Sequence, residues 1–195
     1  MTTAFVLGNG KSRLAVDLDL LKSKGKVYGC NGLYRTFVPD CLVATDRPIA
    51  DEIQNSGYAK ENRFHTRKPI INLGGQPLEP KYKGFSSGPN ATALACLDGH
   101  TKIFLIGFDL GTTNGMFNNV YAGTKFYKKE LDSPTFPGNW IRQLLDLTEE
   151  FTNVNFTRIE GPESAFIKQF NNLPNVQILA MDKFIEMVNT ARGPL

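Results

Sequence analysis

The sequence predicts an α/β fold: an open, mostly parallel sheet with helices on both faces, built as one domain over residues 1–195. Three observations predict it. Short apolar runs of strand length recur along the chain, each closed by Gly, Asn or Asp. Helix-like stretches separate those runs, which is the alternation of a parallel sheet. The chain has 195 residues, 41% of them hydrophobic and 21% charged, enough to bury a core and too apolar for a disordered chain.

The elements follow in order. Residues 3–7 form an apolar run stopped by Gly8-Asn9-Gly10, a buried strand ending in a tight turn. Leu14, Val16, Leu18, Leu20 and Leu21 suggest a short helix or turn after it. Residues 27–30 make a second strand, and residues 41–44 a third, introduced by Pro39-Asp40 and ending at Thr45-Asp46. Residues 49–55 look helical and stop at Gly57. A strand is expected over residues 69–73, before Gly74-Gly75. Residues 90–97 have helical composition, with Pro89 near the start and Gly99 past the end. Residues 103–106 are the most apolar strand and end at Gly107-Phe108-Asp109. Residues 110–137 lack periodicity and read as a long loop, with a lid expected at 112–135. Residues 140–151 form an amphipathic helix, 154–159 alternate as a strand, and 181–188 close as a helix. The expected sheet has about five to seven strands.

Ligands of such sheets bind at the carboxyl ends of the strands. Here those ends carry Gly8-Asn9-Gly10, Cys30-Asn31, Thr45-Asp46 and Gly107-Phe108-Asp109. A glycine turn before a helix exposes backbone N–H groups to an anion, and Lys11, Ser12 and Arg13 add donors and charge. Gly8, Asn9, Gly10, Lys11, Ser12 and Arg13 are therefore the phosphate-binding candidates. The turn is not a P-loop, because Phe5 stands where that motif needs its first glycine. It is not a dinucleotide fingerprint either: Arg13 replaces the third glycine, and the second strand ends without an acid. Asn31 offers both donor and acceptor for a base or ribose. Asp46 could hold a magnesium ion beside phosphates, although Arg47-Pro48 follows it rather than a second acid. Ser86, Ser87 and Gly88 open a helix and either cap it or meet a ligand. Asp109, Tyr121 and Tyr127 are the catalytic candidates, as positioning or proton-accepting groups. His65 and His100 are isolated and read as structural.

Composition narrows the function classes. Lys plus Arg is 22 and Asp plus Glu is 19, a net charge of +3 that is too mild for a general nucleic-acid binder. Three scattered cysteines argue against a disulfide framework and a cysteine zinc site, and no metal site is expected from them. No apolar run is long enough to span a bilayer, and the N-terminus has no signal-type region. A cytoplasmic protein binding a small nucleotide ligand is expected, in a host cytoplasm if phage-encoded.

The motifs GNGKS, GCN, PDCLVATD, SSGPNATALAC and KIFLIGFDLG, in that order, resemble the family 42 glycosyltransferases, the bacterial sialyltransferases. They are also similar to the wider group that includes archaeal 6-hydroxymethylpterin pyrophosphokinase and the flagellin-associated motility factors. GCNGLYRTFVPD looks like uncharacterised phage-encoded proteins of this type. The resemblance covers residues 4–111, more vaguely to 160, and implies a Rossmann-like fold that binds a cytidine-linked sugar. It implies that Asn9, Gly10 and Ser12 contact the donor phosphate, Asn31 the nucleotide or sugar, and Ser86, Ser87 and Gly88 the base-side pocket. Sialyltransferases place a histidine base after the G-I-D strand end, whereas this chain has no histidine beyond His100. The expectation is a transferase using a nucleotide-activated donor, most simply a CMP-linked sugar, with magnesium as a further cofactor candidate. The alternatives are a non-catalytic module that sequesters a nucleotide and a Mg-dependent pyrophosphokinase.

Overall fold

Strand β1 (Thr3–Leu7) lies at the centre of a sheet whose other members are β2 (Lys26–Cys30), β3 (Cys41–Ala44), β4 (Phe64–Thr66), β5 (Gln76–Pro77), β6 (Lys102–Ile106), β7 (Asn155–Glu160) and β8 (Val176–Ala180). This is seen in a computed structural model that describes residues 2–195. The order is β5-β4-β3-β2-β1-β6-β7-β8, and every neighbouring pair is parallel. The chain lays strands outward from β1 to β5, then returns to place β6 against β1. The order therefore reverses between β1 and β6, where the connections diverge and leave a crevice at the carboxyl ends.

The central strands are buried on both faces, which is why they read as continuous apolar runs. Alternate residues serve opposite layers. Ala4 and Val6 pack in one core with Ala91, Ala95 and Leu144. Phe5 and Leu7 pack in the other with Leu21, Ile53 and Phe184. Helices accordingly cover both faces: α4 (Ser87–Leu97) and α5 (Gly138–Glu150) on the first, α1 (Leu18–Lys22), α2 (Arg47–Asn55) and α6 (Met181–Thr190) on the second, with the single turn α3 (Tyr58–Glu61) after α2. Phe5 and Phe104 stack at 5.4 Å across the β1–β6 pair, and Phe184 of α6 meets both rings. Burying each such ring stabilises the fold by about 1.5–3 kcal/mol, which fixes the register at the switch point. Helix α4 turns Ala91 and Ala95 to the sheet, small residues that let it lie close, while Ala93 packs on the other side against Tyr82 and Leu147 of α5. Its start is clamped by Asn90, whose side chain donates to the Tyr82 and Phe85 carbonyls at 3.0 and 2.8 Å.

Two expectations need correction. Among the described residues the sheet has eight strands, more than the five to seven expected, and all are parallel. Residues 69–73 form no strand: the chain turns there and Ile71 is 85% exposed. The pairing falls instead on Phe64–Thr66, a three-residue strand, and on Gln76–Pro77. β5 can hold a proline because it is an edge. β8 was not foreseen, because it is the opposite edge, half exposed, with no apolar periodicity. No helix among the described residues is long and apolar enough to cross a membrane. Cys30, Cys41 and Cys96 are free and buried.

Candidate functional site

A cleft of about 220 Å³ opens at the β1–β6 crevice. Its walls come from the segments just past β1, β2, β3, β4 and β6, from the start of α4, and from residues 117–119, 134–135 and 140. Of the residues singled out in the sequence, Gly8, Asn9, Gly10, Asn31, Asp46, Ser86, Ser87, Gly88 and Asp109 line it. Lys11, Ser12, Arg13, Tyr121 and Tyr127 do not.

The glycine turn explains the difference. Gly10 has ordinary extended dihedrals, φ −63° and ψ 148°. Its amide bonds the Gly107 carbonyl at 2.9 Å, and that of Gly8 bonds Ile106 at 2.8 Å. A Cβ on Gly10 would collide with the Asp109 carboxylate and sit 2.7 Å from the Gly107 oxygen. Glycine is needed here so that the ends of β1 and β6 can touch. Most donors beyond it are already used, and the one left over, the buried Arg13 Nε, is enclosed away from the cleft. The Lys11 amide bonds Asn118 Oδ1 at 2.9 Å, its ammonium pairs with Glu130, and the Ser12 amide bonds Asp109 Oδ2 at 3.1 Å. Arg13 is buried and donates to the Tyr121 hydroxyl at 3.3 Å.

Asp109 is a hub. It is 3% exposed and accepts from the Ser12 amide, the Ser12 hydroxyl, Asn118 Nδ2 at 3.1 Å and Ser164 Oγ at 2.9 Å. Its own carbonyl accepts from Arg158 at 3.1 Å and from the Ala165 amide at 2.9 Å. Arg158, also buried, grips the Phe108 and Ala165 carbonyls at 2.9 Å each and pairs with Glu160. Four donors fill the lone pairs of the carboxylate, so it fastens the turn, the loop and the segment after β7 together.

A second network joins the ends of β2, β3 and α4. Ser87 Oγ donates to Asn31 Oδ1 at 2.8 Å and accepts from the Thr45 amide at 3.0 Å. With its single proton spent on Asn31, it also accepts from Thr45 Oγ1 at 3.0 Å. Asn31 is held at φ 52° and Leu110 at φ 53°. Asn tolerates that left-handed region, but Leu there is strained, and strain of this kind gathers at functional sites. Asn9 donates to the Cys30 carbonyl at 3.1 Å, while its buried Oδ1 has no partner among the described residues. Burial pushes the neighbouring Cys30 thiol up to about 12.

The wall has features that sequence reasoning missed. Arg67, just past β4, lines the cleft and donates to the Lys83 carbonyl at 2.8 Å and the Phe85 carbonyl at 3.0 Å. Those bonds tie it beside the start of α4, where the Ser87 and Gly88 amides have no protein partner among the described residues. Its signal in the sequence was its place after a strand-like stretch. Phe117 and Trp140 give the cleft an apolar end.

Residues 112–135 contain no helix or strand. Their middle part is strapped down. The Val120 amide bonds the Asn9 carbonyl at 2.7 Å, Tyr121 Oη meets Thr36 Oγ1 at 2.7 Å, and Tyr127 Oη accepts from the Gly32 amide at 2.9 Å. Burial raises the Tyr127 phenol above its ordinary value. Farther out, Arg35 donates to Thr124 and to Glu52, and Lys125 pairs with Glu52 at 3.1 Å. Bonds from Tyr34 and Arg35 bring the Glu52 carboxyl down to about 2. Beyond that latch the chain is open, with Leu131 82% and Phe136 81% exposed.

As to metals, no group of three or more His, Cys, Asp or Glu side chains converges among the described residues. Of the two carboxylates in the cleft wall, Asp46 is the one left free to meet a magnesium ion beside phosphates, since the Asp109 oxygens are engaged.

No protein-family model matches the chain, and no curated protein matches it. Among solved structures it is similar to the sialyltransferase CstII from Campylobacter jejuni in complex with the substrate analogue cytidine-5'-monophosphate. That likeness covers 91% of this chain and 85% of the other, with a TM-score of 0.55 and 14% identity. A structure of the same enzyme with CMP-3FNeuAc covers 97% of this chain and 99% of the other, with a TM-score of 0.48 and 13% identity. The first of these likenesses is one of fold, a Rossmann-like α/β sheet.

Proposed function

We propose that the cleft binds a nucleotide-activated sugar, CMP-linked in type, and that the protein is a glycosyltransferase acting on it. The observation that carries this reading is the convergence of polar groups at the switch point. Asn9, Asn31, Ser87 and the α4 start face one cleft, with Arg67 as the cation in its wall. A ribose or cytosine would find donors and acceptors in Asn9 and Asn31. The donor phosphate is assigned to the free Ser87 and Gly88 amides and Arg67, where a helix N-terminus favours an anion. The Gly8–Arg13 turn then shapes the floor rather than binding the phosphate. The fold shared with a sialyltransferase solved with cytidine-5'-monophosphate supports the choice of base. Phe117 and Trp140 suit the apolar face of a sugar.

Calorimetric titration with CMP, UMP, GMP and AMP tests the reading. CMP is expected to bind at least tenfold tighter than the purine nucleotides, a difference of about 1.4 kcal/mol. Asn31→Ala should lose about that much. Equal binding of all four, or no change in the variant, refutes it.

One observation favours a second reading, a module that holds the nucleotide without turnover. Asp109 is saturated, and the Tyr121 and Tyr127 hydroxyls are engaged outside the cleft wall. CMP release from a bound CMP-sugar separates the two.

A further inference from the structure

We infer that Asp46 is the general base of the transfer, accepting the proton of the acceptor hydroxyl; this rests on the transferase reading above. The ionisable side chains of the cleft wall are Cys30, Asp46, Arg67 and Asp109. Cys30 is enclosed, with its sulfur directed to the Leu7 carbonyl at 3.6 Å. Asp109 is enclosed too, its oxygens filled by Ser12, Asn118 and Ser164. Arg67 is a permanent cation.

Asp46 differs from all three. It is exposed to the cleft, and its side chain has no hydrogen bond or ion pair among the described residues. It holds the N-cap position of α2, yet its side chain caps nothing. The nearby cations do not pair with it. Arg47 turns to Asp51 at 3.3 Å, and Arg67, one strand away, sets Nε and Nη2 on the Lys83 and Phe85 carbonyls and keeps Nη1 for the donor phosphate. A cap carboxylate left free at the mouth of a cleft costs the helix a bond that Asp readily makes, and such a departure from local preference marks a functional position.

The step balances. The acceptor oxygen forms a bond to the anomeric carbon as the bond from that carbon to the phosphate oxygen breaks. The electron pair leaves with the nucleotide monophosphate, whose charge meets Arg67. The hydroxyl proton passes to Asp46.

The test uses the full chain, CMP-sialic acid as donor and glycerol as the hydroxyl acceptor, with CMP release as the readout. Because the Asp46 side chain has no partner among the described residues, Asp46→Asn should keep both fold and CMP affinity. Its kcat should fall about 10²-fold or more, the usual worth of a general base. The acidic limb of the kcat–pH profile should vanish, and Asp46→Glu should restore part of the rate. If Asp46→Asn releases CMP at a rate close to that of the parent protein, the assignment is overturned and the transferase reading stands. If the parent protein binds CMP but never releases it from the donor, both fall and the sequestering module remains.

Discussion

Replacing Asp109 separates a structural hub from a catalytic group, and its bonds set the expected cost. Asp109 Oδ2 faces two obligate donors, the Ser12 amide and the Asn118 side-chain NH₂. Oδ1 faces two hydroxyls, those of Ser12 and Ser164. In Asp109→Asn, the amide oxygen can take the Oδ2 side. The new NH₂ then meets hydroxyls that can rotate and accept. Only the charge-assisted part of the bonding is lost, about 1–2 kcal/mol. Asp109→Ala has no such exit. Asn118 keeps the Gly111 and Glu163 carbonyls, and Ser164 keeps the Gly161 amide. The Ser12 amide and hydroxyl are left in the interior without partners, each costing about 1–3 kcal/mol. The loss should be about 3–5 kcal/mol. Urea denaturation measures both, and each kcal/mol should also lower Tm by about 2–4 °C in a chain of this size. The reasoning is refuted if the two variants are equally unstable, or if Asp109→Ala unfolds within about 0.5 kcal/mol of the parent. An alanine variant with full stability and no CMP release would return Asp109 to a chemical role.

Two further outcomes are expected. The loop should divide under hydrogen exchange: residues 117–128, strapped to Asn9, Gly32, Thr36 and Glu52, exchange slowly, while 130–136 exchange fast and slow down only with CMP. Glu52→Gln should speed exchange at 124–128 alone, and uniform exchange across the loop would defeat both the latch and the lid. Stability should also fall as pH drops below about 6.5, the ordinary histidine value. Burial holds His65 below it, with Arg63 Nε donating to its Nε2 at 3.2 Å, so the unfolded chain takes up the proton first. Stability is therefore full above that pH, and urea midpoints that stay constant from pH 8 to 5 would refute this.

The sheet was legible where strands are buried on both faces, since residues 3–7, 41–44 and 103–106 leave no other use for such runs. It was illegible at the edges. Phe64–Thr66 is too short to show a period, and Gln76–Pro77 contains the residue that usually denies a strand. Ile70-Ile71 drew the expected strand to an exposed turn, because local apolarity carries no information about burial. The rim was legible for a topological reason, each strand ending in polar or glycine residues. The orientation of Lys11, Ser12 and Arg13 was not, because Asn118, Asp109 and Tyr121 claim them from more than ninety residues away. Arg67 and Trp140 escaped for the same reason: pattern reports on neighbours in the chain, and a cleft wall is made of strangers.

The place of β1 at the sheet centre also governs how the chain is made. β1 gains β2 early, but its other neighbour, β6, pairs Thr3 with Lys102 and Leu7 with Ile106. During synthesis from the N-terminus, one side of an uncharged strand, apolar from Ala4 to Leu7, waits for about five seconds or more at ribosomal speed. For that interval the nascent half-sheet presents an unpaired edge of the kind that recruits other chains. The connection from β5 to β6 is thus a timing element. Substitutions that slow α4 in reaching the sheet should lower the yield of folded protein in cells more than they lower the stability of what does fold.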